Sequence, residues 1–137
     1  MARDHIHNLV KQALINDGWQ ITHDPYPIKL GGFDMEIDLG AENMMAAQRA
    51  NQKIAIEVKT FAGLSKVYDF HLVVGQFIDY RVALQVKEPD RLLFVAITED
   101  VYEEVFELPF VQMVIKEIGM KIVVVNAQKN EITKWIN

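Results

Sequence analysis

The chain contains no cysteine, which excludes disulfide staples and thiolate metal sites at once. It also lacks a basic excess: 14 lysines and arginines face 19 aspartates and glutamates, for a net charge of −5. Proteins that hold nucleic acid by its backbone usually carry a positive footprint, so here such a footprint could only be a local rim around an acidic centre. No apolar run approaches the roughly 18–20 residues of a membrane span. The opening MARDHIHNLV puts charge and histidine where a secretion signal needs an apolar stretch. The glycine pair at 31–32 is followed by neither G-x-x-x-x-G-K-[ST] nor G-x-G-x-x-G, so no phosphate-cradling loop is present. Four histidines stand without zinc-ligand spacing. A soluble, cytoplasmic protein without membrane association is expected.

What is present is ordinary in bulk, with half of the residues apolar and 24% charged. A chain of 137 residues is expected to form one domain, 1–137, burying roughly 68–70% of its unfolded surface. Ile6, Leu9, Val10, Ala13 and Leu14 recur at helical spacing between Asp4, placed as an N-cap, and Gly18, so a first helix is predicted over 4–17. WQITHD (19–24) alternates as a short strand, and the two prolines of DPYP predict a turn or extended loop after it. GGFDMEIDLG (31–40) sets Phe33, Met35, Ile37 and Leu39 on one face and Asp34, Glu36 and Asp38 on the other. AENMMAAQRANQ (41–52) reads as a connection with a helical turn, its methionines packed or dimer-facing. KIAIEVKTF (53–61) follows as a strand, and the two runs are expected to pair as an antiparallel hairpin.

From 65 to 86 the pattern turns helical, with Phe70, Val73, Val74, Phe77 and Leu84 in one stripe. RLLFVAIT (91–98) is apolar on both faces, the mark of a covered strand. VYEEVFELPFVQMVIKEIG (101–119) predicts one or two short helices broken near Pro109, with Phe106, Leu108, Phe110, Val111 and Val114 packed in the core or exposed as a partner surface. KIVVVN and EITKWIN close the chain as strands. The order, α-β-β-β-α-β with a further helix and strand, is α/β with a mixed central β-sheet flanked by helices.

Candidate chemistry lies in the hairpin. A register that sets Asp38 opposite Glu57 brings Asp38, Glu57 and Lys59 onto one sheet face. Two adjacent carboxylates repel unless a cation lies between them. A hard cation such as Mg²⁺ takes oxygen ligands and keeps waters, so Asp38, Glu57 and the Val58 carbonyl would suit it. Lys59 would then face a metal-bound water and a phosphate. A Glu-x-Lys pair is nonetheless commonplace on half-exposed strands, and spacing alone favours that structural reading. Two observations weigh against it. Glu57 and Lys59 lie in a strand apolar enough to be central, where unpaired charge is costly. Gln76 and Tyr80, about 40° apart around the next helix, flank its apolar stripe rather than pointing away from it.

Here the sequence resembles a known family. DGWQITHDP, GGFDMEIDLGAE, IAIEVKTF and GQFIDYR match, in order and over nearly the whole chain, the segments DGW-IT-DP, GG-D--IDLGAE, IAVEVK-F and GQ---YR of the XisH family, the fdxN element excision controlling factors. The set also resembles the PD-(D/E)xK nuclease superfamily. That resemblance implies a restriction endonuclease-like fold and Mg²⁺- or Mn²⁺-dependent hydrolysis of DNA phosphodiesters. Asp38 and Glu57 would be the metal-binding carboxylates with Val58, Lys59 the lysine, and Gln76 with Tyr80 the helical pair that steadies phosphate or lysine. Asp34 is the rival to Asp38, but would lie about 13 Å further along the strand. No proline precedes Asp38, and the first helix offers His5, His7 and Asn8 where junction resolvases carry a glutamate. The alternative reading is a non-catalytic regulator that assists a site-specific recombinase with an XisI-like companion; a homodimer is expected by analogy.

Overall fold

The computed structural model describes residues 2–43 and 52–137. Helix α1 (Ala2–Asn16) is followed by β1 (Gln20–His23), β2 (Tyr26–Leu30), β3 (Phe33–Ile37), β4 (Leu39–Asn43) and β5 (Gln52–Val58). Then come α2 (Lys66–Lys87), β6 (Arg91–Thr98), α3 (Glu99–Val101), a π-helical turn (Tyr102–Phe106), α4 (Pro109–Ile118), β7 (Ile122–Asn126) and β8 (Glu131–Ile136). Six strands form one mixed sheet in the order β1-β4-β5-β6-β7-β8. Its centre, β5-β6-β7, is parallel, and both flanks are antiparallel.

Each face of the sheet is covered by helix. On one side Leu9, Val10, Ala13 and Leu14 of α1 pack on Leu39, Ile54, Ile56, Phe94 and Val123. On the other, α2 brings Phe70, Val73, Phe77 and Leu84 against Ala55, Leu93, Val95 and Ile97. The burial of β6 on both faces explains its unbroken apolar run. Ser65 caps α2 by accepting the Tyr68 N–H at 3.1 Å, which satisfies one of the open donors of the first turn. Along β5, Ile54 and Ile56 face α1 while Ala55 faces α2, so strand alternation sends Glu57 to the α2 side.

The alternating run 33–39 is not one strand. It breaks at Asp38: β3 pairs with β2 as a separate two-stranded ribbon, Tyr26 opposite Ile37 and Leu30 opposite Phe33. Strand β4 alone pairs with β5. The expected hairpin between 33–39 and 53–60 is therefore replaced by a handover of partners at Asp38, and the strand runs on to Asn43. The segment after DPY, expected to be loop, forms β2 because Tyr26 and Ile28 are fully buried on the α2 side. Pro27 is tolerated there since the ribbon has only edge strands.

Other boundaries move slightly. Helix α1 begins at Ala2, which puts Asp4 inside the first turn rather than at the cap. Pro109 opens α4 at its first position, where its missing N–H is harmless. The apolar group around it divides: Phe106 and Val111 are core, while Leu108 and Phe110 are exposed. The expected turn at ENMMAAQ lies largely outside the described residues. No helix among the described residues is long and apolar enough to cross a membrane.

A buried charge anchors the end of the sheet where β6 begins. Arg91 is 4% exposed; it donates to the Ile54 carbonyl at 2.8 Å and to Glu88 at 2.8 Å, and stacks 4.7 Å from the Tyr26 ring centroid. Arg91 hydrogen bonds draw the Glu88 carboxyl down to about 2 against the opposing effect of burial, and the Tyr26 hydroxyl helps. Replacing Arg91 by Met should therefore lower unfolding free energy by about 2 kcal/mol, the scale for leaving the buried Ile54 carbonyl without its donor while Glu88 keeps Lys53 and Tyr26, as read by urea denaturation. Glu88 is held charged in the fold and binds its proton near 4.5 when unfolded, so its contribution is present above 4.5 and fades as pH falls towards 2.

Candidate active site

Asp38 sits where the chain leaves the β2-β3 ribbon for the main sheet. Continuing the register in which Leu39 lies opposite Ile56 sets Asp38 opposite Glu57. The two residues clasp each other's backbone. The Asp38 N–H donates to Glu57 Oε1 at 3.3 Å, and the Val58 N–H donates to Asp38 Oδ2 at 2.8 Å. Lys59 Nζ lies 3.3 Å from Glu57 Oε2, and the Lys59 N–H donates to the Ala96 carbonyl at 3.0 Å, so the lysine is still held on the sheet. All three side chains face a cleft of about 360 Å³, whose wall includes Gln76 and Tyr80 of α2.

Burial sets the electrostatics. Glu57 is 6% exposed. Removal from water pushes its carboxyl up to about 7, the Asp38 charge pushes the same way, and Lys59 opposes both. Gln76 Oε1 is buried and accepts no hydrogen bond, which marks a place for a donor or an electropositive group in the cleft. The carboxylates that line the cleft, Glu36, Asp38, Glu57 and Asp69, offer oxygen, the ligand type of a hard cation. Among the described residues no group of three or more histidines or carboxylates has metal-site geometry, so two carboxylates and a carbonyl are the available set.

Every sequence candidate except one group converges here: Asp38, Glu57, Val58, Lys59, Gln76 and Tyr80 all line the cleft. Asp34 does not. It is exposed and paired in register with Lys29 on the ribbon. His7 contacts Asp24 at 2.8 Å instead. Three polar residues of the cleft were not singled out from sequence: Glu36, Thr60 and Asp69. Glu36 could have been found from its alternation with Asp38, and Asp69 from its place two helical turns before Gln76. The floor near residue 61 is shaped by an uncommon backbone. Phe61 has φ of 54°, and its ring is buried edge-on against Phe106 at 5.4 Å. At Gly63 a Cβ would stand 2.7 Å from the Asp69 carboxylate, so a side chain there would push that carboxylate off its 3.1 Å hydrogen bond from the Gly63 N–H.

Folding takes up a proton at Glu57 between an ordinary value of 4.5 and about 7. Stability therefore declines as pH rises through that window and stays lowered above it. In chelator, Glu57→Gln should melt higher than the parent above pH 7, by about 3 kcal/mol for a shift of this size. The gap should close below pH 4.5; thermal melts at pH 4 and pH 8 measure it, and equal midpoints at pH 8 would refute the strained carboxylate.

The chain matches the XisH protein family model over residues 1–133. Two solved structures are similar over almost their full length. The XisH family protein from Nostoc punctiforme PCC 73102 is 38% identical with a TM-score of 0.90, covering 98% of this chain and 100% of that one. The fdxN element excision controlling factor protein from Anabaena variabilis is 42% identical with a TM-score of 0.88, covering 98% and 99%. Among curated proteins nothing matches. By sequence and by fold alike, this chain is a member of the XisH family.

Proposed function

We propose that the protein acts in excision of a DNA element, and that its cleft is a metal-dependent endonuclease-like site of the PD-(D/E)xK kind on a restriction endonuclease-like fold. The observation that carries this reading is the mutual clasp of Asp38 and Glu57 with Lys59 3.3 Å away. The excision role is drawn from the Anabaena variabilis relative, described as an fdxN element excision controlling factor.

The residues fit a cation such as Mg²⁺ or Mn²⁺. Asp38, Glu57 and the Val58 carbonyl would hold it, and the buried, unpartnered Gln76 oxygen could accept from one of its waters. A bound divalent ion supplies Lewis acidity and makes a coordinated water more acidic. The protein's own groups do the rest. Lys59, steadied by Glu57 Oε2, orients the attacking water and offsets charge developing on the phosphate. Gln76 and Tyr80 hold the phosphate or the lysine in line. Among the described residues of the cleft, Glu36, Asp38, Glu57 and Asp69 oppose Lys59 alone, so DNA phosphate should be repelled until this negative charge is offset.

A second reading is a non-catalytic factor that supports a site-specific recombinase, together with an XisI-like companion. The net charge of −5 and the absence of a third carboxylate or histidine ligand among the described residues favour it. Incubation with supercoiled, linear and branched DNA and Mg²⁺ or Mn²⁺ separates the two. Cleavage should be lost in both Glu57→Ala and Lys59→Ala. An intact substrate, together with tight binding to a recombinase, would instead support the regulator.

Cation binding is measurable without catalysis. At about 100 times its dissociation constant a ligand adds about 2.7 kcal/mol of stability. Mg²⁺ should raise the melting temperature of the parent and leave Asp38→Ala unmoved; an equal rise in both would remove Asp38 from the metal site.

A further inference from the structure

Helix α2 spans roughly 33 Å at 1.5 Å per residue and turns one face away from the sheet. That face carries Val67, Tyr68, Leu72, Ile78, Val82 and Val86, all exposed, by 36% to 69%. Six exposed apolar side chains on one helix face, interrupted by polar groups only at His71 and Asp79, mark an interaction surface. At its centre stands Gly75, where an added Cβ would meet nothing within 4 Å. A mid-helix glycine weakens the helix, and this one does not make room for the protein's own core, which lies on the opposite side. It leaves the helix backbone open to close approach from outside.

The pattern about Gly75 reads the same in both directions. Leu72 and Ile78 stand three residues either side, His71 and Asp79 four, Tyr68 and Val82 seven. Between 68 and 82, His71 and Asp79 are the polar side chains of this face. We propose that this face binds a second copy of the same chain, the two α2 helices crossing at Gly75 about a two-fold axis. An isologous contact demands that residue i meet j while j meets i, and a face palindromic about one glycine meets that demand. His71, Gly75 and Asp79 form one i, i+4 row. In the commonest helix-packing class, crossing near −50°, these rows run parallel in the two helices. With the two helices antiparallel, the two-fold through Gly75 lies across these rows and reverses one against the other, setting His71 against Asp79 of the second copy. An imidazole N–H meets a carboxylate twice, and Leu72 and Ile78 close the sides with apolar contact. Leu72, Gln76 and Tyr80 also line the cleft, so the two clefts open beside the joined helices. The pairing stands whether or not the cleft is catalytic.

Sedimentation of the full-length chain tests it. The parent should dimerise. Gly75→Leu should raise the dissociation constant at least about tenfold without lowering the melting temperature of the dilute monomer, because its side chain has open space in the single copy. Asp79→Arg should also weaken the dimer, and adding His71→Asp to it should restore association by reversing the charges across the two-fold. A parent that stays monomeric up to roughly 100 µM overturns the proposal, even if the face then captures a different protein. So does a dimer indifferent to Gly75→Leu, or a double variant no stronger than Asp79→Arg.

Discussion

The mutual hold between Asp38 and the β5 segment Glu57–Val58 organises this protein. One carboxylate accepts the other segment's N–H, and the favour is returned across the same rung. That contact sits where the chain changes sheets, from the β2-β3 ribbon to the six-stranded sheet. Without it, two carboxylates would meet at a bend with Lys59 as their one counter-charge in the cleft among the described residues. With it, each charge is solvated by backbone, and Glu57 still carries a proton to about 7 because burial outweighs those bonds.

Local economy is sacrificed around the cleft. Phe61 occupies the left-handed region, uncommon for a residue with a bulky side chain, and the buried ring contact holds it there. Gln76 keeps a buried oxygen without a partner. Departures of this kind, gathered around one cleft, are what a binding site looks like energetically.

Much of this was legible in the residues. Strand β6 follows from an apolar run with no polar face, and α2 from a stripe whose members Phe70, Val73, Phe77 and Leu84 are all buried. The site residues converge because period-two alternation and one register suffice to bring Asp38, Glu57 and Lys59 together. The partner exchange at Asp38 was not legible. Alternation in 33–39 is the same whether the strand is continuous or handed from one sheet to another, since only tertiary contacts choose its partner. DPYP misled for a related reason: proline signals a turn locally, yet Tyr26 and Ile28 gain more by burying against α2 than the ribbon loses through Pro27. Glu36 and Asp69 share a strand face with Asp38 and a helix face with Gln76, yet were passed over because acids on such solvent-like faces are common.

Strand β5 is pinned at both ends, by Arg91 on the Ile54 carbonyl and by Asp38 on the Val58 N–H. Sliding it by one residue would invert its faces, sending Glu57 and Lys59 into the aliphatic layer under α1 and lifting Ile56 and Val58 into the cleft. The strand therefore has no neighbouring register to slip into. The spacing of the acidic pair is fixed by the ladder of the sheet itself, and a change to the loops around the cleft can alter what enters without moving the groups that wait there.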